Sequence, residues 1–237
     1  MIVLALETAT RDGSLAVLAD DSLLGVRRGD AARPHAARLP ADLLSLLADS
    51  GMTLAQVDLL AVCLGPGGFT GLRVGIAAIQ GLALATGIPV AGVSALDALG
   101  AAGADALTGE ESTVGVWMDG ARREVFARRY RRDAAALMGI APLDDAVSAP
   151  AATVADDWRG APPDVWIGDA VETPSQALEI GGRVLTLTPP IAPIIARLAA
   201  RLAATGQAGS PHALPPVYVR RSDAELARDR RHAHSGR

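Results

Sequence analysis

The chain has 237 residues and contains no lysine and no asparagine. The missing lysine excludes Schiff-base chemistry and the phosphate-gripping lysine of P-loop proteins. Cysteine occurs once, at Cys63 inside a hydrophobic run. That excludes a disulfide framework and reads as a small core residue. Aromatic residues make up 3% of the chain while 50% is hydrophobic, so the core is aliphatic and large enough for a sizeable domain. A net charge of −4 supplies no global basic field to draw the chain onto nucleic acid. Histidine is scarce and never spaced as a metal pair. His35 is followed by Ala36, Ala37, Arg38 and Leu39, and His212, His232 and His234 fall in the terminal region. No metal site is expected from them. Neither HExxH nor GxSxG occurs. The carboxylate pairs Asp20-Asp21, Asp144-Asp145 and Asp156-Asp157 are adjacent residues near turns and read as solvated charge. No basic region precedes Ile2 and Glu7 interrupts the first apolar run, so no secretory signal is expected. Residues 74–96 are uncharged and long enough for a bilayer, but Gly87-Ile88-Pro89 breaks them into helix, turn and strand. The expectation is a cytoplasmic protein without a membrane span.

The most informative segment present is residues 65–87, GPGGFTGLRVGIAAIQGLALATG. An apolar strand, Leu59–Leu64, runs into Gly65-Pro66-Gly67-Gly68. Gly67 and Gly68 are expected to take φ > 0 in a sharp turn, with a helix starting near Thr70. On that helix Leu72, Ile76, Ile79 and Leu82 share one side. Gly71, Val74, Ala77, Ala78, Gly81 and Ala85 share the other, with Arg73 and Gln80 as the polar stripe. A helix apolar on two sides is covered on two sides: the bulky side suits a sheet, the small side another helix.

Before this segment, Ile2–Glu7, Ser14–Ala19 and Leu23–Arg27 read as strands joined by short turns, an antiparallel meander. A helix is expected from about His35 to Ser50, with Leu39, Leu43, Leu44, Leu46 and Leu47 as its apolar arc. Arg38, Asp42, Ser45 and Asp49 form its polar arc, and Pro40 lies in its first turn or kinks it. Strand 90–93 follows helix 70–86. The second half repeats the opening: strand Val114–Asp119 ending in an acid, turn Gly120–Arg123, strand Glu124–Tyr130, a third strand within Leu137–Leu143, a strand Val165–Gly168, and a helix Ile191–Ala204. Two strand–acid–turn–strand units point to a duplication whose second copy has lost helices. The division expected is 1–108, 109–223 with helix 191–204 packing back on the first part, and a disordered tail 224–237.

Several blocks, in order, resemble the TsaB (YeaZ) family of bacterial tRNA threonylcarbamoyladenosine synthesis. They are Ile2 to Thr10, with Glu7 where the family usually has Asp; His35 with Leu39-Pro40; the GPGGFTG–LRxG helix; Val90–Ser94; Met118 to Phe126; and Pro216-Val217-Tyr218-Val219-Arg220. The resemblance spans residues 1 to about 220. It implies the α/β actin/Hsp70/sugar-kinase-like fold, a duplicated βββαβα unit with an eroded second half. It also implies a non-catalytic scaffold that binds TsaD directly. TsaE and tRNA join through the complex, and ATP and metal belong to the partner subunits. TsaD carries an HxxxH metal motif where this chain has only His35.

In that fold ATP phosphates lie between two strand–turn–strand loops, here Thr8–Gly13 and Asp119–Arg123. Thr8 and Thr10 are candidates for phosphate, Glu7 and Asp119 for Mg²⁺. The alternative that these are ordinary capped turns is favoured, because Ile167-Gly168-Asp169-Ala170 offers one glycine and no base pocket. No cofactor is therefore expected. Arg122-Arg123, Arg128-Arg129 and Arg131-Arg132 are basic spots accompanied only by Phe126 and Tyr130, a weak basis for RNA contact. The partner surface expected is His35, Leu39, Leu43, Leu46, Gly71, Val74, Gly75, Ala78, Gly81, Leu82 and Ala85, shared by TsaD and by a homodimer. Two enzymes remain as alternatives: an ATP-dependent phosphotransferase or ATPase of sugar-kinase type, and a glycoprotease-like peptidase.

Overall fold

A computed structural model describes residues 1–170, 181–185 and 190–220. The expected tail 224–237, with His232 and His234, lies outside the described residues. The apolar runs of the first half become β1 (Ile2–Glu7), β2 (Ser14–Ala19) and β3 (Ser22–Arg28), followed by α1 (His35–Asp49), β4 (Leu59–Gly65), α2 (Phe69–Thr86), β5 (Val90–Ser94) and α3 (Ala95–Asp105). They form one sheet in the order β3-β2-β1-β4-β5. The first three strands are antiparallel, and β1, β4 and β5 are parallel. β1 and β4 read as unbroken apolar runs because both of their faces are covered.

The second half gives β6 (Thr113–Asp119), β7 (Glu124–Arg132), β8 (Ile140–Pro142), β9 (Val147–Pro150), α4 (Ala151–Trp158), β10 (Val165–Ile167), β11 (Arg183–Leu185) and α5 (Ala192–Ala204). Its sheet runs β11-β10-β6-β7-β8, with β9 also on β7. From β8 inward, antiparallel pairs lead to β6 and parallel pairs lead on to β11. This is the strand order of the first sheet again, so the duplication is visible in topology. The fold is the α/β actin-like one. The second copy is eroded: α4 has 8 residues where α1 has 15.

Three clusters make the core. The largest fills the space between the two sheets around α3 and α5. α5 lays Ile195, Leu198 and Leu202 there and packs across β1, β2, β4 and β5. Each such side chain removed from water contributes about 1.5–3 kcal/mol. A second cluster seals the opposite face of the first sheet under α1 and α2. The third stacks Trp117, Trp158 and Trp166, with ring centroids 5.1–6.4 Å apart, under α4.

Some expectations are corrected. The left-handed residue at the β4–α2 turn is Gly65, at φ 101°, ahead of a cis peptide to Pro66; Gly68 has φ −59° and Gly67 is not left-handed either. Gly67 is needed for space, since a Cβ there would strike the Ala9 backbone. The strand expected within Leu137–Leu143 shrinks to β8, because Asp133–Gly139 closes a turn through Asp133 N–H to Gly139 O. α3 and α4 were not legible. α3 has small residues all round and is buried on nearly every side, so it carries no amphipathic period. Pro40 lies deeper in α1 than its first turn.

The glycines at 67, 71 and 75 share one stripe of the α2 entry. Cβ atoms on them would meet Ala9, the Thr8 carbonyl with the His35 ring, and Thr8 Oγ1 respectively. The stripe admits the end of β1, not a helix of another chain. Gly75→Val is therefore expected to destabilise the protein by about 1–3 kcal/mol through overpacking. Gly81, with nothing within 4 Å of its missing Cβ, should become more stable by about 0.5–1 kcal/mol as Gly81→Ala. Denaturant unfolding of the two variants checks both signs.

Candidate functional site

A cleft of about 1000 Å³ opens between the two halves. Its walls are the β1–β2 turn, the approach to α1, the start of α2, the β6–β7 turn, Asp169 and the segment Val217–Arg220. Thr8, Thr10 and Asp119 all line it, together with His35 and Gly71.

On the first wall the polar groups are already engaged. Glu7 is 1% exposed, and its carboxylate accepts from Thr10 N–H at 2.6 Å, Thr10 Oγ1–H at 3.0 Å and Ser14 Oγ–H at 3.0 Å. Burial raises its pKa against these bonds. Thr10 Oγ1 also accepts from Gly13 N–H. Thr8 Oγ1 is buried against Gly75 with no partner among the described residues. Glu7 thus staples its own turn and has no oxygen turned to a cation. These residues do not fit a Mg²⁺ site at Glu7.

The turn is gripped from α1. Arg38, expected on the polar arc, is 2% exposed. It donates to Asp42 at 2.7 Å, to the Asp12 carbonyl, and to His35 Nδ1 at 2.8 Å. A Cβ at Gly29 would occupy the place of its guanidinium. Because arginine only donates, His35 Nδ1 is the acceptor and unprotonated. The ring sits between Gly13 and Gly71, and burial and the Arg38 charge lower its pKa. The i, i+3 and i, i+4 spacing of His35, Arg38 and Asp42 was the available signal for this clamp.

On the opposite wall Asp169 is raised in pKa by burial and by the nearby Asp119 charge, and it accepts from Asp119 N–H at 2.8 Å. Asp119 Oδ1 in turn accepts from Ala121 N–H at 2.8 Å. Ala121, Arg122 and Arg123 are all left-handed, with φ of 56°, 56° and 66°. Each such residue costs about 1–2 kcal/mol. Gly120 N–H to Glu124 O and Arg220 to Gly120 O hold the turn in place. At the rim, Arg73 lies 3.8 Å over the Phe69 ring and donates to the Tyr218 hydroxyl at 3.0 Å. The segment Val217–Arg220 thereby fastens to α2, and Val217 N–H donating to Leu64 O fastens it to β4.

The residues expected at a partner surface separate. Leu39, Leu43 and Leu46 face inward and are buried under α1, a correction to the expected outward arc. His35 and Gly71 belong to the cleft, and Gly75 is closed against Thr8. Val74, Ala78 and Leu82 are half-buried against the same core, and only Gly81 and Ala85 are exposed. The most exposed large apolar side chains of these helices are Leu44, at 67%, and Leu84, at 63%. α2 is long and apolar enough to cross a membrane, yet Leu72, Ile76 and Ile79 are buried in the protein.

A family model described as TsaD, tRNA N6-adenosine threonylcarbamoyltransferase, matches residues 19–179. A protein of Mycobacterium tuberculosis is 36% identical over 94% of this chain and 93% of its own length. The tRNA threonylcarbamoyladenosine biosynthesis protein TsaB of Escherichia coli is 36% identical over 56% of each chain. YeaZ from Pseudomonas aeruginosa superposes with a TM-score of 0.75 at 27% identity, covering 92% of this chain and 99% of that one. The (R)-2-hydroxyglutaryl-CoA dehydratase component A of Acidaminococcus fermentans shares the fold alone, with a TM-score of 0.51 at 9% identity.

His35 gives a pH test. With its folded pKa lowered from 6.5, it contributes stability that is complete above that value and is lost as pH falls below it. The raised carboxyl pKa values of Glu7 and Asp169 act with the opposite sign, so the His35 loss is read as the difference between wild type and variant from pH 8 to 5. His35→Gln, which keeps an acceptor for Arg38, should flatten it.

Proposed function

Since this chain belongs to the TsaB (YeaZ) family of tRNA threonylcarbamoyladenosine biosynthesis, we propose that it acts there as a non-catalytic subunit that binds TsaD and holds it active. The observation that carries this reading is Glu7. In an actin-like cleft that position would hold a cation, but here its carboxylate is spent on Thr10 and Ser14. With Thr8 shut against Gly75, the first wall of the cleft supports the fold rather than a reaction. The chemistry, with its ATP and metal, then falls to partner subunits in the cytoplasm, and tRNA and TsaE meet this chain through the complex.

The partner face is the outer side of α1 and α2. Leu44 and Leu84 stand exposed there. Ala77, Gly81 and Ala85, exposed on α2, are small enough for a helix of TsaD to approach closely. Leu84→Arg and Ala77→Trp are expected to weaken TsaD binding about tenfold or more, measured by calorimetry, with circular dichroism unchanged. Wild-type affinity in both variants would move the partner face elsewhere.

A further inference from the structure

The chain has two phenylalanines and two tyrosines, and they divide. Phe126 and Tyr130 are buried, whereas Phe69 and Tyr218 are 38% and 43% exposed. The exposed pair meets at the mouth of the cleft, with ring centroids 5.3 Å apart and 31° between their planes. Arg73 lies over Phe69 and holds the Tyr218 hydroxyl. Val217 N–H to Leu64 O and Arg220 to Gly120 O fix the backbone on either side of Tyr218. Two rings and a guanidinium are thus held as a fixed, half-open stack, in a chain that buries its other aromatic rings.

Charge surrounds the stack. Arg11 and Arg33 line the first wall of the same cleft, and Arg123 stands two residues beyond Ala121, which lines the second. All three are exposed, and their side chains have no partner among the described residues. The basic spots on β7 differ: Arg128, Arg129 and Arg132 are spent on Asp97, Asp144 and the carbonyls of Ala104 and Leu107. The turn that carries Arg123 holds three successive left-handed residues, strain of a kind that clusters where a ligand is met. The second wall also carries Asp119 and Asp169, so an anion is drawn to the first wall and kept from the depth of the cleft. Free guanidiniums suit phosphate, and an exposed ring suits an unstacked nucleobase.

We propose that the mouth of this cleft holds a single-stranded segment of RNA, its phosphates on Arg11, Arg33 and Arg123 and a base on Tyr218. The occupant follows from the place given to the chain in tRNA threonylcarbamoyladenosine biosynthesis, so the inference rests on that reading and adds a direct RNA contact to it. A duplex keeps its bases stacked and offers the rings nothing. A chain of net charge −4 has no field to gather RNA by itself, so the contact adds to the grip of TsaD rather than replacing it. Phe69 opens α2 and Leu84 stands in its last turn, about 22 Å away along the axis. The protein face and the RNA face are therefore free to be engaged together.

Fluorescence anisotropy of a labelled tRNA transcript with the complex of TsaD and this full chain tests it. Calorimetric TsaD affinity and circular dichroism are the controls. Arg11→Gln and Arg33→Gln should each weaken tRNA binding and each lower the slope of log K against log salt by about one. Tyr218→Ala should weaken binding about tenfold and leave that slope unchanged, while Tyr218→Phe, which keeps the ring, should bind as the wild type does. Wild-type tRNA affinity in either Tyr218→Ala or the double variant Arg11→Gln/Arg33→Gln, with TsaD still bound, overturns the inference. ATP binding to this chain alone that is lost in Arg11→Gln assigns the mouth to a free nucleotide and overturns it as well. A wild-type chain that does not bind TsaD ends the scaffold reading by itself. A labelled single-stranded RNA of about 12 nucleotides is then titrated into this chain alone at low salt. Binding lost in Tyr218→Ala and kept in Tyr218→Phe supports the inference, and no saturable binding overturns it.

Discussion

The contact on which the rest of this molecule depends is the close approach of the β1–β2 turn to the entry of α2. Gly67, Gly71 and Gly75 remove the Cβ atoms that would stand between Thr8–Ala9 and the helix. His35 then slides between Gly13 and Gly71, and Arg38 ties that ring to Asp12 and Asp42. Turn, α1 and α2 are thereby locked as one body. A buried guanidinium is tolerated only when its donors are engaged, and it is costly to uncouple once they are. Its Nε is buried without a partner among the described residues.

That lock has a chemical consequence. The turn that would otherwise be free to wrap a phosphate is fixed from inside by Glu7 and from outside by Arg38. The second wall is set by different means: the Asp119–Asp169 contact and three left-handed residues in succession. Strain of that kind persists because Glu124 and Arg220 brace the turn from both sides. At the rim of the cleft Arg73, stacked on Phe69 and donating to Tyr218, ties the start of α2 to the segment Val217–Arg220.

Much of this was legible in the sequence, for identifiable reasons. The meander, α1, α2 and β4 announce themselves through period and length, and the repeated strand–acid–turn unit reveals the duplication. Arg38 was misplaced because a wheel counts charge as exposed, whereas only tertiary structure shows Gly29 making room for a guanidinium. For Leu39, Leu43 and Leu46 a wheel gives an arc without saying which neighbour covers it, and here the first sheet does. The small-residue stripe of α2 suggests an intermolecular surface, but at Gly71 and Gly75 it is an intramolecular one. α3 and α4 were missed because a helix of Ala and Gly buried all round, and one of 8 residues, leave no periodic trace. The meeting of the Thr8–Gly13 and Asp119–Arg123 loops was expected from the family resemblance, whereas no local pattern encodes the arrival of Tyr218 at the same cleft.

The central claim is that this chain serves tRNA modification through its surface and not through chemistry in its cleft. The direct measurement is threonylcarbamoyl transfer to tRNA, reconstituted from purified TsaD and its partners with this chain carrying Asp119→Ala and Asp169→Asn together. These two carboxylates are the cleft acids that the lock does not use. Modification at a rate within about twofold of the wild-type mixture is the predicted result. Loss of modification, with TsaD binding intact, would place a reacting group in the cleft and contradict the account.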